Sequence, residues 1–326
     1  MRYSILIPAY KAKYLKECID SILAQTYDKF ELIIVNDASP EDLTSIINQY
    51  NDNRIRYYVN EKNCGAIDVV DNWNKCLSYA NGDYVICMGD DDKLLPNCLE
   101  GYNKLMDQFP NLGLYHAWTE IINEKSNVVA MQQPRPLFEG VYSLACGRII
   151  DQRLQYIGDF AFETKRLRDA GGFYKIPLAW GSDCISAYIA ARETGVANSQ
   201  EPLFQYRRSA INITTGGNVD IKIQSIKDNM KWLNEFISIE PDKKNIAEYT
   251  YWLMLKNKLP TIRIQWLASE VMFDMMRNGK IKKLFYWLFH GRKYGIGMAV
   301  IGWAFISTLK WEMGKSNIKK LNNKIK

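Results

Sequence analysis

The chain has 326 residues, of which 47% are hydrophobic and 24% charged, an ordinary globular composition that permits a sizeable core. Its formal charge is +6, but residues 280–326 contain eleven Lys or Arg and one acid, Glu312, which leaves about −4 for the rest. The basic character therefore belongs to the tail, and the body of the chain does not indicate a nucleic-acid partner.

Seven cysteines are scattered along the chain without a C-x-x-C pair, and only two histidines accompany them. This pattern predicts reduced thiols in a cytosolic setting and argues against structural zinc. The N-terminal stretch "MRYSILIPAY" has one basic residue and too short an apolar run for a secretory signal, so we predict a first strand there.

Strand-like and helix-like segments alternate through the first 110 residues. We predict strands at Ser4–Pro8, 30–39, 54–60 (an edge strand) and Asp83–Met88, and helices at 14–27, 42–50, 66–82 (closed by Gly82) and from Pro96 onwards. This alternation is typical of a parallel, doubly wound sheet, in which ligands bind beyond the carboxyl ends of the strands.

The pattern changes twice after residue 110. Residues 111–208 are less regular, with helices predicted at 164–172 and 182–195, and we expect this half to complete the sheet and build an acceptor pocket. Gly171–Gly172 is interpreted as a helix stop, and His116 and His290 as structural residues. Beyond Gly217 the chain is helical and aromatic, with no strand signal.

Carboxylates follow the predicted strands. Asp37 comes after "LIIVN", the triplet Asp90–Asp92 comes after "YVICM", and Asp183 precedes the helix "CISAYIAA". Unpaired charges of this kind are too costly for a core, and close carboxylates repel unless a cation neutralises them. Oxygen ligands suit Mg²⁺ or Mn²⁺, which carboxylates commonly hold together with a substrate's phosphates. The alternative is a solvated turn in which Asp90 or Asp92 caps the next helix.

These segments resemble family 2 glycosyltransferases of the GT-A fold. The resemblance is carried by "SILIPAYKAKYLKECIDSILAQTYDKFELIIVNDASPED", "NCG", "NKCLSYANGDYVICMGDDDKLLP", "GSDCISAYIAA" and "PLFQYRRS", in this order, over about residues 3–208. It implies a Rossmann-like α/β fold with a mixed, mainly parallel sheet flanked by helices. A catalytic domain would span 1–217, with a nucleotide-binding half (1–110) and an acceptor half (111–217), followed by a helical extension (218–326).

The resemblance also implies roles for individual residues. Asp183 would be the general base, and Asp91 with Asp92 would bind the metal. Trp180 would contact the acceptor. The remaining donor-binding candidates, which share the nucleotide or its diphosphate as target, are Pro8, Tyr10, Asp37, Asn63, Gly65, Asn74, Asp90, Asp91 and Arg207.

Three departures from the family pattern leave alternatives open. Gly89 replaces an acid that commonly opens the acidic motif, Trp73 stands where many members carry Arg, and Ser182 replaces a frequent Glu beside the base. Asp183 could instead be an N-cap or first-turn acid of its helix. Arg207 with Arg208 could be a surface pair, and Trp180 a buried side chain.

The basic tail suggests contact with a membrane. Its uncharged run, Tyr294–Leu309, has 16 residues, fewer than the roughly 20 that a spanning helix needs. Aromatic residues flanked by lysines are typical of interfacial helices at anionic lipid. A helical cap on the catalytic domain and a dimer interface remain alternatives.

Together with the resemblance, these observations predict a metal-dependent, inverting hexosyl- or N-acetylhexosaminyltransferase. The resemblance implies a nucleotide-sugar donor, UDP-linked, and an acceptor that is a glycan or lipid-linked glycan of surface polysaccharide synthesis. The enzyme would be cytoplasmic and peripheral on the inner membrane. The alternative is a non-catalytic nucleotide- or glycan-binding module. A nucleotidyltransferase lacks support because no glycine-rich basic loop for a triphosphate is present near the N-terminus.

Overall fold

A computed structural model describes residues 2–208 and 218–325 of the chain, with side-chain environments as far as Met313. The chain forms two compact units. The first comprises Met1–Thr215 together with Glu240–Leu255, and the second comprises Gly216–Ile239 together with Lys256–Lys326. The domain boundary predicted at Gly217 lies outside the described residues and stays a prediction.

The first unit is built on a mixed sheet with the strand order β3-β2-β1-β4-β9-β6-β10-β5, in which β7 also pairs with β6 and β8 with β10. The strands are β1 (Tyr3–Ala9), β2 (Phe30–Asn36), β3 (Ile55–Val59), β4 (Tyr84–Cys87), β5 (Lys93–Leu94), β6 (Leu114–Ile122), β7 (Val128–Met131), β8 (Phe138–Glu139), β9 (Phe160–Glu163) and β10 (Val196–Arg207). Strands β1 to β4 pair in parallel, as does β6 with β10. The shorter pairings of β5, β7, β8 and β9 are antiparallel.

Helices cover both faces of the sheet. The helices of this unit are α1 (Leu15–Leu23), α2 (Leu43–Ile47), α3 (Val69–Tyr79), α4 (Cys98–Gln108), α5 (Val141–Ile149), α6 (Thr164–Asp169) and α7 (Ser182–Ala191). Buried residues of α1, α2 and α4 pack with alternate residues of β1 and β2 in one core cluster. Helix α3 packs on β1 and β2 through residues outside that cluster, on the opposite face.

The predicted hydrophobic patterns explain these elements. All seven residues of β2 are buried, as a strand covered on both faces requires. Leu15, Cys18, Ile19 and Ile22 form the buried stripe of α1. The predicted edge strand is confirmed as β3, and the Gly171–Gly172 helix stop is confirmed by positive φ angles of 90° and 93° directly after α6.

Several predicted boundaries are wrong, among them those of α2, α3 and α4. Helix α3 ends at Tyr79 with an extended Ala80, so Gly82 does not close it. Gly82 is needed because a Cβ there would lie 2.6 Å from the backbone nitrogen of Ser4. The helix predicted over 42–50 is shortened to α2, and α4 begins at Cys98 after an Asn97 N-cap, two residues beyond Pro96.

The second unit consists of helices joined by short turns, with no strand among its described residues. It contains α8 (Val219–Ile237), most of α9 (Ile246–Asn278), α10 (Lys280–His290) and α11 (Met298–Ile325). Its interior includes Trp287, which is fully buried and donates from Nε1 to Asp274 at 2.9 Å. Among the described residues, no helix is both long and apolar enough to cross a bilayer.

Candidate active site

The loops after β1, β2 and β4 meet at one edge of the sheet, because these parallel strands are neighbours and their carboxyl ends coincide. The Asp90 carboxylate accepts hydrogen bonds from the backbone N–H groups of Tyr10 and Lys11, both at 2.7 Å. The N–H of Asp37 donates to the carbonyl of Ala9 at 2.9 Å. The structure thus joins three of the predicted nucleotide-site segments.

The three acids of the triplet have different environments. Asp90 and Asp92 are buried, with exposed fractions of 6% and 4%. Asp92 accepts from the N–H of Arg207 at 2.8 Å and of Gly89 at 3.3 Å. Asp91 is partly exposed and lies 3.5 Å from Lys11 Nζ. Asp90 and Asp92 therefore hold the loop in shape, Asp91 is the most accessible of the three, and the solvated-turn alternative is wrong for the two buried acids.

Burial affects the protonation of the two inner carboxyls. It raises the pKa of Asp90 to about 6, while the N–H groups of Lys11 and Tyr10 oppose the shift and the Asp91 charge adds to it. Burial and the charge of Asp91 raise the pKa of Asp92 well above its usual range. The loop therefore concentrates negative charge that its own contacts only partly compensate.

Steric crowding in this loop explains why residue 89 is a glycine. A Cβ at this position would lie 2.9 Å from Asp91 Oδ1 and 2.9 Å from Asp92 Oδ2. The two carboxylates thus converge over the glycine, in the space that a side chain would occupy. The acid that the family commonly has at this position would need the space that these two carboxylates occupy here.

Arg207 lies behind the acidic loop, with 1% of its surface exposed. Its guanidinium donates from Nε to the carbonyl of Asp91 at 2.7 Å and from Nη2 to Glu17 at 2.9 Å. Nη1 donates to Asn123 and Ser126 at 3.0 and 2.9 Å. These bonds engage Nε, Nη1 and Nη2, so Arg207 holds the acidic loop in place in this structure. Its predicted contact with the donor stays a prediction.

A stacked tyrosine pair lies beside the acidic loop. The rings of Tyr156 and Tyr206 are 3.7 Å apart and nearly parallel. Burial raises the pKa of Tyr156 to about 12, and the charges of both Asp92 and Arg148 act on its hydroxyl. Arg208 also acts on both tyrosines and, unlike Arg207, is exposed. The pair therefore lies between the acidic loop and the region of α5 and α7.

Asp37 is buried in a polar pocket at the end of β2. Its Oδ1 accepts from Asn60 Nδ2 at 2.9 Å and from the N–H of Cys64 at 3.0 Å. Asn60 in turn donates to Asn72 Oδ1 at 3.0 Å. Burial raises the pKa of the Cys64 thiol to about 11, and its hydrogen bond to Asp37 adds to the shift. These contacts fix the carboxylate of Asp37, which is one of the predicted donor-binding residues.

The other predicted donor residues near this pocket remain accessible in part. Pro8 is the partly buried penultimate residue of β1, and Tyr10 is 42% exposed just beyond that strand. Asn63 accepts from the N–H of Gly65, whose φ of +77° is in the left-handed region that glycine tolerates. Tyr10 and the 63–65 loop thus belong to the two segments that bond to Asp37, through Ala9 and Cys64.

Asn74, whose predicted donor contact stays a prediction, bonds to the backbone of Phe173 in this structure. Its side-chain amide donates to the carbonyl of Phe173 at 3.0 Å and accepts from the N–H of Phe173 at 2.7 Å. Gly172 is required beside it, because a Cβ there would lie 2.4 Å from Asn74 Oδ1. The amide is therefore occupied in fixing the turn after α6.

Asp183 is in the first turn of α7, whose N-cap is Gly181 with a φ of 93°. The side chain is half-buried, and burial raises its pKa while the nearby Arg148 guanidinium opposes that rise. Arg148 belongs to the last turn of α5, which packs on α7. Ser182 is buried and accepts from the N–H of Ile176 at 3.1 Å, so it shapes the turn before the acid.

The turn before Asp183 has an unusual backbone. Leu178 and Ala179 both have positive φ angles, 62° and 51°, which cost free energy in non-glycine residues. The N–H of Leu178 donates to the carbonyl of Ile67 at 2.9 Å. Trp180 follows this turn, and its side chain is half-buried.

Sequence reasoning missed Asn60, Lys11 and Arg148. Asn60 directly follows β3, so the same rule that selected Asp37, a polar residue at the end of a parallel strand, would have found it. Lys11 follows Tyr10 in a motif that was already noted. Arg148 had no signal, because α5 was not predicted and its partner is distant in sequence.

The donor set is compatible with a divalent cation shared with a ligand. Among the described residues, no three His, Cys, Asp or Glu side chains are grouped as a complete metal site. Two converging carboxylates, Asp91 and Asp92, nevertheless match the one or two protein ligands that Mg²⁺ takes when phosphates supply the rest.

A family comparison decides the classification. Residues 4–170 match the model described as glycosyl transferase family 2, which is more than half of the chain. The chain belongs to glycosyl transferase family 2.

The chain is 32% identical over 196 residues to an uncharacterized glycosyltransferase of Rickettsia typhi, covering 52% of this chain and 60% of that protein. It is 30% identical over 145 residues to Escherichia coli WfgD, a UDP-Glc:α-D-GlcNAc-diphosphoundecaprenol β-1,3-glucosyltransferase, covering 44% and 56%. The chain thus spans at most about three fifths of these relatives.

Solved structures show the same fold at low sequence identity. Staphylococcus aureus TarS 1–349 in complex with UDP-GlcNAc matches with a TM-score of 0.60 at 15% identity, covering 96% of this chain and 92% of that one. The mannosyltransferase PcManGT of Pyrobaculum calidifontis, in complex with GDP-Man and Mn²⁺, matches with a TM-score of 0.51 at 17% identity, covering 94% and 87%. The predicted family and GT-A fold are confirmed.

Proposed function

We propose that the protein is an inverting, metal-dependent glycosyltransferase that moves a hexosyl or N-acetylhexosaminyl group from a UDP-linked donor. The observation that carries this proposal is the edge of the sheet, where Asp37, accessible Tyr10 and the Asp91–Asp92 pair follow the ends of three adjacent strands. Polar and aromatic groups in this succession suit a base, a ribose and a diphosphate. Two similar proteins support UDP over GDP, since TarS was solved with UDP-GlcNAc and WfgD is by name a UDP-Glc-using glucosyltransferase, whereas PcManGT was solved with GDP-Man.

Nucleotide binding would use the strand ends. Asp37, held by Asn60 and the N–H of Cys64, accepts hydrogen bonds from the base edge, and Tyr10 with Pro8 lies against the base plane. Asp91 and Asp92 would hold the cation, which supplies Lewis-acid stabilisation of the departing diphosphate. Arg208 is the exposed guanidinium next to this loop and suits phosphate oxygens better than buried Arg207.

Asp183 would take the proton from the acceptor hydroxyl as that oxygen attacks the anomeric carbon. Arg148 keeps the carboxyl more acidic than burial alone would allow, so the carboxylate form persists at a lower pH. Attack opposite the leaving diphosphate inverts the anomeric centre. Trp180, beside the base turn, would pack on the acceptor sugar.

The acceptor is proposed to be a glycan or lipid-linked glycan of surface polysaccharide synthesis. WfgD, by its name, transfers to a diphosphoundecaprenol-linked sugar. We place the enzyme on the cytoplasmic face of the inner membrane as a peripheral protein.

The first test is calorimetric titration with UDP, GDP, CDP and dTDP, each with and without Mn²⁺. We expect one nucleotide, UDP, to bind with a strong dependence on the metal, and Asp91→Asn to abolish that dependence. Asp107→Asn, an exposed acid on α4, is the matched control and should bind as the wild type does. If no nucleotide binds under any condition, the proposed function is wrong.

The second test separates binding from chemistry. Asp183→Asn should lower turnover by about 10²- to 10⁴-fold, since a general base contributes this much, while nucleotide affinity stays at the wild-type value. If the variant turns over normally, Asp183 is not the base. If wild-type protein binds nucleotide yet transfers no sugar to any acceptor, the alternative of a non-catalytic binding module is favoured.

A further inference from the structure

Helix α10 exposes large apolar side chains along one face. Phe289 is 79% exposed, Phe285 55% and Ile281 53%, at a spacing of four residues that places them on one side of a helix. Exposed aromatic residues in a row are uncommon on soluble surfaces and indicate an interaction site.

The inner face of α10 fixes this orientation. Trp287 is fully buried, packs edge-on against Tyr294 and donates to Asp274. Phe285 and Phe289 stand two residues to either side of Trp287, about 160–200° around the helix from it. The phenylalanines therefore point away from the core of the second unit, and they cannot turn inward without expelling the tryptophan.

Basic residues border the apolar face, and they fall into two groups, with and without an acidic partner among the described residues. Lys280 and Lys283 form ion pairs with Glu312 and Asp274 within the unit. Lys282, Arg292 and Lys293 are exposed, and within the described residues none has an acid partner. We call Ile281, Lys282, Phe285, Phe289, Arg292 and Lys293 the α10 patch.

We propose that the α10 patch docks on the surface of an anionic lipid bilayer. The phenylalanines would enter the boundary between headgroups and acyl chains, while the three cations meet acidic headgroups. Helix α11 adds exposed Met298, Trp303 and Ile306, of the residue types found at bilayer interfaces. A second copy is a poorer occupant, because an isologous contact would bring two sets of unpaired cations together. The inference names the surface for the proposed membrane localisation and does not depend on the sugar transferred.

Vesicle co-sedimentation of the full chain tests the proposal. Wild-type protein should bind vesicles of phosphatidylcholine with phosphatidylglycerol and bind phosphatidylcholine alone much more weakly. Phe285→Ser/Phe289→Ser should reduce binding at least about tenfold. Replacing Lys282, Arg292 and Lys293 by Gln should reduce it about fivefold for each charge removed at low salt. The matched control, Ile246→Ser/Met254→Ser, changes exposed apolar residues of α9 and should bind normally.

Light scattering and thermal unfolding of the same variants complete the test. The variants should keep the wild-type melting temperature and mass, because the changed side chains are exposed. The proposal is overturned if wild-type protein ignores anionic vesicles, if the patch variants bind as well as the control, or if Phe285→Ser/Phe289→Ser converts a dimer into a monomer. Vesicle binding is measured without nucleotide, so its failure would be distinct from a failure of the transferase proposal.

Discussion

Two arginines of the first unit lie close to carboxylate-bearing segments. Arg207 joins the backbone of Asp91 to Glu17 of α1, and the charge of Arg148 opposes the rise that burial causes in the pKa of Asp183. The first contact concerns the position of an acidic loop, and the second concerns the protonation of a carboxyl. Substitution of Arg207 should therefore alter loop position, and substitution of Arg148 should alter protonation.

Arg148→Gln should move the acid limb of the kcat/KM pH profile to higher pH. The proposed base works as a carboxylate, and removal of the cation that opposes its raised pKa makes deprotonation harder. Arg148→Lys keeps the charge and should shift the limb less. The measurement is kcat/KM against pH for the three proteins. An acid limb at the same pH in all three would contradict this role.

Arg207→Lys should weaken both the fold and nucleotide binding. The substitution keeps the charge but loses the planar fork that reaches four partners, which should lower the free energy of unfolding by about 1–3 kcal/mol. Arg208→Lys, a change at the exposed neighbour, should leave stability unaltered. Urea denaturation and calorimetric titration measure both effects. Equal stability of the two variants would show that the buried contacts contribute little.

At the scale of secondary-structure elements, a few large side chains determine which face of a helix is buried and which is exposed. In α10 the buried side is defined by Trp287, and the exposed side by Phe285 and Phe289. The sequence "KIKKLFYWLFH" places aromatic rings at residues 285, 286, 287 and 289, spread over roughly 200° of the helix, so hydrophobicity alone could not tell which ring enters the core.

Trp287→Ala should lower the free energy of unfolding by about 3–5 kcal/mol, as expected for a buried large-to-small change. It removes ring packing and the Asp274 hydrogen bond together. Phe285→Ala, on the opposite face, should change stability by less than about 0.5 kcal/mol. Chemical denaturation followed by circular dichroism measures both. A larger loss for Phe285→Ala would place that ring in a buried contact.

At the scale of the whole molecule, the burial of polar groups costs free energy of folding, which the apolar core must offset. Asp159 is fully buried, lies 3.6 Å from His116 Nε2 and accepts from the N–H of Tyr156 at 3.1 Å. Burial raises its pKa to about 7, while Arg135 opposes the shift. Because the folded protein binds this proton more tightly, its contribution to stability is present below pH 3.8, the usual value, and is lost as the pH rises to about 7.

Asp159→Asn should therefore gain stability relative to the wild type as pH rises from about 4 to about 7. The substitution removes the buried charge that the wild type must carry at the upper end of this range. Melting temperatures of both proteins across the range give the difference directly. A constant difference would show that the carboxyl does not change protonation on unfolding.

Much of the fold could be predicted from the sequence where the signals were local. The buried run of β2, the amphipathic stripe of α1 and the edge strand β3 each follow from a short stretch. Helix α5 and strand β10 were missed because α5 is buried on nearly every side and β10 has a bulged register. Neither has a simple period.

The same distinction applies to the site residues. Strand-end acids could be selected from their order along the chain, since parallel strands bring those ends together. The structural contacts of Arg207 and Asn74 could not be predicted, because their partners, Glu17 and Phe173, are far away in sequence. A motif gives the position of a residue, whereas burial decides whether it contacts a ligand or another part of the protein.

The hydrogen bond from Leu178 to Ile67 joins two segments to which the proposed function assigns different substrates. It ties the turn before Asp183 to the segment that follows the 63–65 loop, and Lys175 adds ion pairs of 2.9 and 2.6 Å to Asp68 and Asp71. If the donor binds at the 63–65 loop and the acceptor beside Asp183, a rearrangement of one segment would shift the other or break these bonds. The two affinities would then be coupled, and reciprocity requires that each substrate change the affinity for the other by the same factor.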